Sequence, residues 1–206
     1  MTHTDLISGE DLLARCRWCG EDPLYVRYHD EEWGVPVPDD QRLFEKLCLE
    51  GFQAGLSWLT ILRKRENFRR AFHGFDLQRV AAMNERDVQR LLGDAGIVRH
   101  RGKIEAAINN ARCAIECVEQ HGSLAHRLWS FIPNAPPEPR RTMRDIPAQT
   151  DTSKRISREL RSSGWKFVGP TTAYAFMQSV GMVNDHLGGC HRHAPVETMQ
   201  RLFRRP

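Results

Sequence analysis

The feature that most constrains the fold is an apolar repeat of helical period, which recurs along most of the chain. It is clearest in residues 101–118, where apolar side chains fall at positions i, i+3, i+4, i+7 and i+11 of one helix face. These side chains are Ile104, Ala107, Ile108, Ala111 and Ile115. Further helices are predicted over 40–53, 57–71, 77–83, 85–92, 124–129, 151–163 and 170–180, and no segment shows the alternation of a strand. The sequence therefore predicts an all-α fold, a globular bundle of packed helices.

The composition indicates a folded protein without a membrane anchor or an export signal. With 206 residues, of which 40% are hydrophobic, the chain is long enough for one domain of one or two lobes. Its apolar residues form no run of about 18, and the polar, acidic N-terminus lacks the order of a signal peptide. We therefore expect a cytoplasmic protein whose six cysteines are thiols or metal ligands.

Sulfur and imidazole side chains gather near both ends of the chain. They are Cys16, Cys19 and His29 on one side, and His186, Cys190, His191 and His193 on the other. Structural zinc sites take four such ligands in a tetrahedron, although this spacing matches no common zinc finger. The alternative is a set of small buried thiols and surface histidines that bind nothing. If the two groups share a metal, it ties the two ends together and closes a loop of most of the chain.

Residues 91–103 have the pattern of a helical hairpin, because glycines interrupt the chain and a long helix then begins among basic side chains. Backbone N–H groups at a helix start bind anions, and glycine allows a phosphate to approach the backbone closely. Such a hairpin grips a DNA backbone without reading its sequence. The candidate contacts are Gly96, Arg99, Arg101 and Lys103. The alternative is an ordinary corner between two helices, and the net charge of +4 is weak support for nucleic-acid binding.

One acidic residue lies on an apolar helix face. On the helix predicted for 40–53, Glu50 falls within the stripe formed by Leu43, Leu47 and Ala54, so it faces the core or a pocket. Because an unpartnered buried carboxylate is costly, Glu50 is either paired structurally or lines a site, and we favour the site. Aromatic residues cluster nearby in sequence: Trp18, Tyr25, Tyr28, Trp33, Phe44, Phe52 and Trp58. Most belong to the core on the simplest view, but flat rings with polar tips also suit a base flipped out of DNA.

Several longer motifs carry a resemblance to a known family. They are DPLY at 22–25, YHDEEWG at 28–34, LEGFQAGLSW at 49–58, GIVRHRGKI at 96–104, FVGPT at 167–171, and VNDH at 183–186 with Cys190. In this order and length they resemble the bacterial 3-methyladenine DNA glycosylases of type I. The resemblance covers 16–190, which we take as a glycosylase domain of one or two helical lobes. Residues 1–15 are an N-terminal extension and 191–206 a C-terminal tail.

The resemblance implies a helix-hairpin-helix glycosylase fold with a structural zinc ion that joins the N- and C-terminal regions. The implied zinc ligands are Cys16, His29, His186 and Cys190, whereas Cys19 departs from the family pattern and is a competing thiol. The implied base contacts are Glu50, as the catalytic carboxylate, and Tyr28, with Trp58 stacking on the base. Tyr25 and Trp18 match further positions of the pocket wall.

The chemistry expected from the resemblance is the release of free 3-methyladenine from double-stranded alkylated DNA, leaving an abasic site. Many enzymes of this fold activate water with an aspartate after the hairpin, yet no aspartate occurs here between Asp94 and Asp145. Methylation at N3 makes adenine a cation and a good leaving group, so less acid–base help is needed. Lys103 is the only lysine near the hairpin and nothing indicates an activated amine, so we expect a monofunctional enzyme that acts as a monomer.

Two other classes of function remain open. A zinc-stabilised DNA-binding module without catalysis would not need Glu50. A zinc hydrolase would need an open coordination position, against which four protein ligands argue. An iron–sulfur glycosylase is disfavoured because the six cysteines form no tight group of four.

Overall fold

Ten α-helices follow one another in the computed structural model, which describes residues 5–133 and 138–206. Their bounds are α1 Pro23–Glu31, α2 Asp40–Gln53, α3 Trp58–Ala71, α4 Leu77–Ala81, α5 Glu85–Leu92, α6 Arg101–His121, α7 Leu124–Trp129, α8 Asp151–Ser162, α9 Pro170–Ser179 and α10 His193–Leu202. Short 3₁₀ turns cover Arg17–Cys19, His73–Phe75 and Met143–Asp145. The predicted all-α class is confirmed, and the helices from α2 to α9 lie where the apolar periodicity placed them.

Two aspartates at the start of α2 have different tasks. Asp39 is the N-cap, because its carboxylate accepts a hydrogen bond from the backbone N–H of Arg42 at 2.8 Å. Asp40 instead accepts from the backbone N–H groups of Leu124 and Ala125, at 3.1 and 2.7 Å. The first turn of α2 is thereby bound to the first turn of α7, whose orphan N–H groups the carboxylate satisfies.

Helix α2 forms the centre of the molecule. It packs against α3, α6, α7 and α9, and residues 43–52 are buried without a break. Three of these buried residues are charged: Glu45, Lys46 and Glu50. Glu45 lies 2.7 Å from Arg69 of α3, so its charge is paired, whereas Glu50 points toward α9 and a cavity.

The connection between α1 and α2 is bound to the end of α9. The backbone N–H of Gly34 donates to the Gln178 carbonyl at 3.0 Å, and that of Val37 donates to the Val180 carbonyl at 3.1 Å. Gly181 follows α9 with a φ of +74°, and a Cβ there would lie 2.4 Å from the Pro36 nitrogen. Only glycine fits this close approach, which fixes α1 and α9 as facing walls.

Four elements were not predicted from the sequence, where strands were excluded and the tail after Asn184 was expected to be irregular. Strands β1 Leu6–Ser8 and β2 Ala14–Cys16 pair antiparallel, with Leu6 opposite Cys16, and they are too short to show an alternation. Helix α1 was also not predicted from the apolar periodicity. Helix α10 buries a single side chain, Val196, and is held on the domain by tertiary contacts.

The tail and the N-terminal hairpin both pack on the domain. The backbone N–H of His191 donates to the Ala14 carbonyl at 2.8 Å, and Gln200 Nε2 donates to the Gly34 carbonyl at 3.0 Å. Among the helices of the described segments, none is both long and apolar enough to cross a membrane.

Candidate functional site

A cavity of about 210 Å³ opens between α1, α2, the start of α3 and α9. Its lining is mostly aromatic: Trp18, Tyr25, Tyr28, Trp33, Glu50, Gln53, Trp58, Met143, Ile146, Ala175 and Gln178. We call it the aromatic pocket. All five side chains predicted as base contacts lie together in its wall, namely Glu50, Tyr28, Trp58, Tyr25 and Trp18.

The rings of the aromatic pocket contact one another at an angle. The ring centroids of Tyr28 and Trp58 are 5.4 Å apart, and Trp18 lies 5.1 Å from Tyr25 and 4.8 Å from Trp33. The indole N–H groups of Trp18 and Trp58 are buried and have no hydrogen-bond partner within the described residues. A buried donor without a partner is costly, so both are candidate donors to a bound molecule.

Glu50 is the acid of the aromatic pocket and is only 5% exposed. Burial raises the pKa of its carboxyl to about 8, and the charge of Lys46 and contact with Ser179 offset only part of this. Lys46 lies one helical turn before Glu50, and burial lowers its pKa in turn. Near neutral pH the Glu50 carboxyl is therefore mostly protonated, and a cation beside it would restore its charge.

A buried carboxylate at the back of the aromatic pocket orients one of its amides. Asp185 Oδ2 accepts hydrogen bonds from the Tyr174 hydroxyl at 2.6 Å and from Gln178 Nε2 at 2.8 Å, and Arg140 Nε donates to Oδ1 at 3.1 Å. Because a carboxylate only accepts, the NH₂ group of Gln178 must face Asp185. The amide oxygen of Gln178 is left for the aromatic pocket, which therefore contains an oriented acceptor.

Two cysteines and two histidines from opposite ends of the chain form one buried cluster. The ligand atoms of Cys16, His29, His186 and Cys190 all lie within 4.8 Å of one another. Cys190 Sγ is 3.5 Å from His29 Nε2 and 3.6 Å from His186 Nδ1. This Cys2His2 cluster has the donor set of a closed, four-ligand metal site.

The surroundings of the Cys2His2 cluster select which ring nitrogens face its centre. His29 Nδ1 lies 2.7 Å from Asp30 Oδ1, and His186 Nε2 lies 3.0 Å from the Trp33 carbonyl. Each bond occupies the nitrogen that points away from the thiols, so Nε2 of His29 and Nδ1 of His186 face inward. Metal-binding histidines are usually held in this way, and burial also lowers the pKa of His186, which keeps its imidazole neutral.

The other candidate ligands lie outside this cluster. Cys19 is buried, but its Sγ contacts the Gly20 carbonyl at 3.7 Å. Among the described residues, it does not belong to the group of four side chains whose ligand atoms lie close together. His191 Nε2 binds Asp30 at 3.0 Å, in a separate group with His29. His193 begins α10.

Lys103, which was expected to contact a phosphate, binds within the protein in this structure. The residue is only 7% exposed, and its ammonium donates to the carbonyls of Phe52 and Ala54, at 2.9 and 2.5 Å. Carbonyls at the end of a helix have no backbone partner within the helix, so the lysine caps α2 by donating to them. Its ammonium is therefore engaged within the protein, which the sequence pattern did not reveal and which speaks against the expected phosphate contact.

The rest of the hairpin between α5 and α6 carries less free charge than expected. Arg101 binds both Glu85 and Glu105 at 3.0 Å. The backbone N–H of Gly96 donates to the side chain of Asp94 at 2.7 Å. Arg99 is exposed and contacts no acidic side chain within the described residues. The phosphate contacts predicted for Gly96, Arg99 and Arg101 stay predictions.

Several pocket residues were not named from the sequence as site residues. Trp33 belongs to the motif YHDEEWG and Gln53 to the motif LEGFQAGLSW, so both could have been predicted as site residues from the sequence. Gln178 and Ala175 lie on an apolar helix whose pattern indicates only burial, and Met143 and Ile146 lie at the two ends of a short 3₁₀ turn. Their place in the site depends on how distant segments pack.

Comparison with known proteins gives consistent matches over most of the chain. The model of the methyladenine glycosylase family matches residues 18–193. DNA-3-methyladenine glycosylase 1 of Escherichia coli K12 is 53% identical over 180 residues, which cover 86% of this chain and 96% of that protein.

Two crystal structures have the same fold. One of 3-methyladenine DNA glycosylase I matches with a TM-score of 0.83 and 52% identity, covering 87% of this chain and 99% of the other. A second, of a variant 3-methyladenine DNA glycosylase I in complex with 3-methyladenine, matches with a TM-score of 0.83 and 37% identity over 87% and 97% of the two chains. A chain of this fold has thus been seen with the methylated base bound.

Proposed function

The chain belongs to the methyladenine glycosylase family, and we propose that it hydrolyses the N-glycosidic bond of 3-methyladenine in alkylated DNA by holding the flipped base in the aromatic pocket. The products are free 3-methyladenine and an abasic site. We propose further that it acts as a monomer in the cytoplasm, on double-stranded DNA. The observation that carries this assignment is a desolvated carboxyl, Glu50, in a cavity lined by aromatic rings.

Glu50 selects the methylated base by charge. At neutral pH most of its carboxyls are protonated, given a pKa of about 8. A 3-methyladenine cation in the aromatic pocket favours the carboxylate, whereas normal adenine is neutral and supplies no such partner. The pocket therefore favours the base in its cationic form, which is also the better leaving group, so binding and bond cleavage are driven by the same charge.

The rings provide the shape of the pocket. Trp58 begins α3 and Tyr28 lies in α1, so the two rings meet across the cavity and offer the flat surface on which a purine stacks. Burial raises the pKa of Tyr28 well above its usual range, so its hydroxyl stays protonated and donates to an edge atom of the base. Tyr25 and Trp18 complete the wall.

Gln178 reads the exocyclic group of the purine. Its amide oxygen is oriented by Asp185 and accepts from a donor, which the 6-amino group of adenine supplies. Guanine carries a carbonyl oxygen at the same position, so two hydrogen-bond acceptors would face each other without a donor between them. The amide therefore favours adenine over guanine among bases methylated at N3.

Water attack needs no second carboxylate here. Glu50 is the only acidic residue among the described residues that line the aromatic pocket, in line with the missing aspartate after the hairpin. No lysine of the described chain lines it either, and Lys103 is held at the end of α2. An amine for strand cleavage is absent from this lining, which supports a monofunctional glycosylase.

For the Cys2His2 cluster we propose a structural zinc ion. Thiolate and imidazole in equal number suit zinc, and four protein ligands leave no position for a catalytic water. His29 and His186 also pack against Trp18 and Trp33, with centroids 5.3 and 4.6 Å apart, so the cluster supports the back of the aromatic pocket. The metal would hold the chain ends together and keep these walls in place.

The decisive experiment is a product assay on methylated DNA. Wild-type protein should release free 3-methyladenine and leave alkali-labile abasic sites, and Glu50→Gln should release far less while still binding duplex DNA. A protein that binds DNA but leaves every methylated base attached would instead be a binding module.

A further inference from the structure

One wall of the aromatic pocket comes from a turn in a mostly exposed segment. Met143 and Ile146, at the two ends of the 3₁₀ turn Met143–Asp145, line the cavity beside Trp18. The other side chains of this stretch are exposed: Arg141, Thr142, Arg144 and Asp145. A segment that buries so few side chains opens at low cost unless something else holds it. The position of this wall therefore depends on what binds the turn.

The turn is bound by an acidic residue from the N-terminal extension. Asp5 Oδ2 accepts a hydrogen bond from the backbone N–H of Met143 at 2.9 Å, across 138 positions of the sequence. The first N–H groups of a helical turn have no partner within the turn, so this bond satisfies a donor that would otherwise lack one. Because its acceptor is a carboxylate, the bond is stronger than one between neutral groups. Asp5 thus fixes the start of the turn.

Asp5 also binds the segment that carries the neighbouring side chain of the wall. Its backbone carbonyl accepts from the N–H of Arg17, directly before Trp18, at 2.9 Å. Leu6 follows in β1, opposite Cys16 of β2, so Asp5 lies at the end of the strand pair. One residue therefore binds the segment of Trp18 through its backbone and the turn of Met143 through its side chain.

The N-terminal hairpin is itself closely packed on the domain, so it can support the turn. Leu6, Trp18, Met143 and Ile146 all pack against one small buried cluster, which consists of Cys16, Leu187 and Cys190. A Cβ placed on Gly189 would lie 2.7 Å from Leu6 Cδ1, which shows how closely β1 approaches the loop before Cys190. The support that Asp5 provides is therefore fixed to the same cluster as the wall.

We propose that Asp5 is a positioning residue of the aromatic pocket, which holds the Met143–Asp145 turn against Trp18 so that this wall is formed before the base enters. This inference rests on the proposed function. Asp5 is not among the described residues that line the cavity, so it acts on the base only through Met143 and Ile146. A wall that is already in place raises affinity, because binding then does not have to order the segment.

The test is a titration of each variant with free 3-methyladenine, followed by tryptophan fluorescence. Asp5→Ala should raise Kd about 10-fold, which corresponds to the loss of one hydrogen bond to a charged group. Asp5→Asn should stay close to the wild-type Kd, because its amide oxygen can accept the same bond. The matched control is Glu10→Ala, which removes an exposed carboxylate from the same hairpin and should leave Kd unchanged.

A double-mutant cycle tests whether Asp5 acts through the turn. Ile146→Ala removes part of the wall directly. Once Asp5→Ala has released the turn, the loss of this side chain should matter little. We therefore expect the increase in Kd of Asp5→Ala/Ile146→Ala to be clearly smaller than the product of the two single increases. Single increases that simply multiply would overturn the proposal.

The remaining outcomes separate this inference from the proposed function. A circular-dichroism melt and metal analysis of each variant show that the fold and the metal content are kept. Should Asp5→Ala not fold, Asp5→Glu takes its place, since it keeps the charge but displaces the acceptor and should likewise raise Kd. Wild-type binding with an unchanged Kd in Asp5→Ala, or a Kd of Asp5→Asn as high as that of Asp5→Ala, would overturn this inference alone. Wild-type protein that binds no 3-methyladenine would overturn the proposed function itself.

Discussion

Replacing Glu50 by Gln should lower excision activity and, at higher pH, raise stability relative to wild type, because the ionised carboxyl is costly to bury. Burial raises its pKa from 4.5 to about 8. A carboxyl with a raised folded pKa stabilises the protein while protonated, and this contribution is complete below the unfolded pKa and lost as the pH rises through the folded pKa. Wild-type protein should therefore lose stability between these two pKa values.

The magnitude follows from the size of the shift. Each pKa unit corresponds to about 1.4 kcal/mol, so a rise from 4.5 to about 8 makes the full loss on the order of 5 kcal/mol in the free energy of unfolding. Glu50→Gln has no proton to lose at this site, so the difference between the two proteins isolates the term from other titrating groups. Glu50→Asp keeps a carboxyl and should keep much of the pH dependence.

The assay is denaturant unfolding of wild type, Glu50→Gln and Glu50→Asp from about pH 5 to about pH 9. Glu50→Gln should gain stability relative to wild type as the pH rises, yet excise 3-methyladenine much more slowly in single turnover. Parallel pH profiles of stability for wild type and Glu50→Gln would refute the buried-carboxyl argument. Full excision by Glu50→Gln would remove the carboxylate from the mechanism.

Four further predictions concern the surroundings of the site. Cys16→Ser should lose the single zinc ion per chain and melt at a lower temperature, whereas Cys19→Ser should keep the zinc ion and the wild-type melting temperature. Unchanged zinc content in Cys16→Ser, measured by metal analysis, would contradict the ligand set. Trp58→Ala should slow single-turnover excision about 10- to 100-fold, the worth of one base stack, and an unchanged rate would assign the ring to the core. Lys103→Met should lower the free energy of unfolding by about 2 kcal/mol without changing the salt slope of duplex binding, because its ammonium binds two carbonyls; an altered slope would restore it as a phosphate contact. Gln178→Leu should excise 3-methyladenine about 10-fold more slowly and discriminate less against 3-methylguanine, and competition between the two bases checks this.

Much of this protein follows from local sequence. The apolar repeat of 101–118 predicted α6, and Asn84 and Ser123 predicted the starts of α5 and α7. Helical position alone placed Glu50 among buried side chains, because the side chains of one helix face share a direction whatever the helix packs against. Cap and periodicity are properties of a few consecutive residues, so they can be predicted before the fold is known.

Other features were decided only by tertiary structure. Lys103, a candidate phosphate contact by its sequence pattern, binds two carbonyls at the end of α2, and Gln178 is an oriented acceptor only because Asp185 lies behind it. Helix α10 likewise forms on a surface that a distant segment supplies. In each case the partner is far away in sequence, and a long polar side chain can reach several partners. Local pattern determines which face a residue occupies, whereas the partner it binds depends on what the fold brings within about 3 Å.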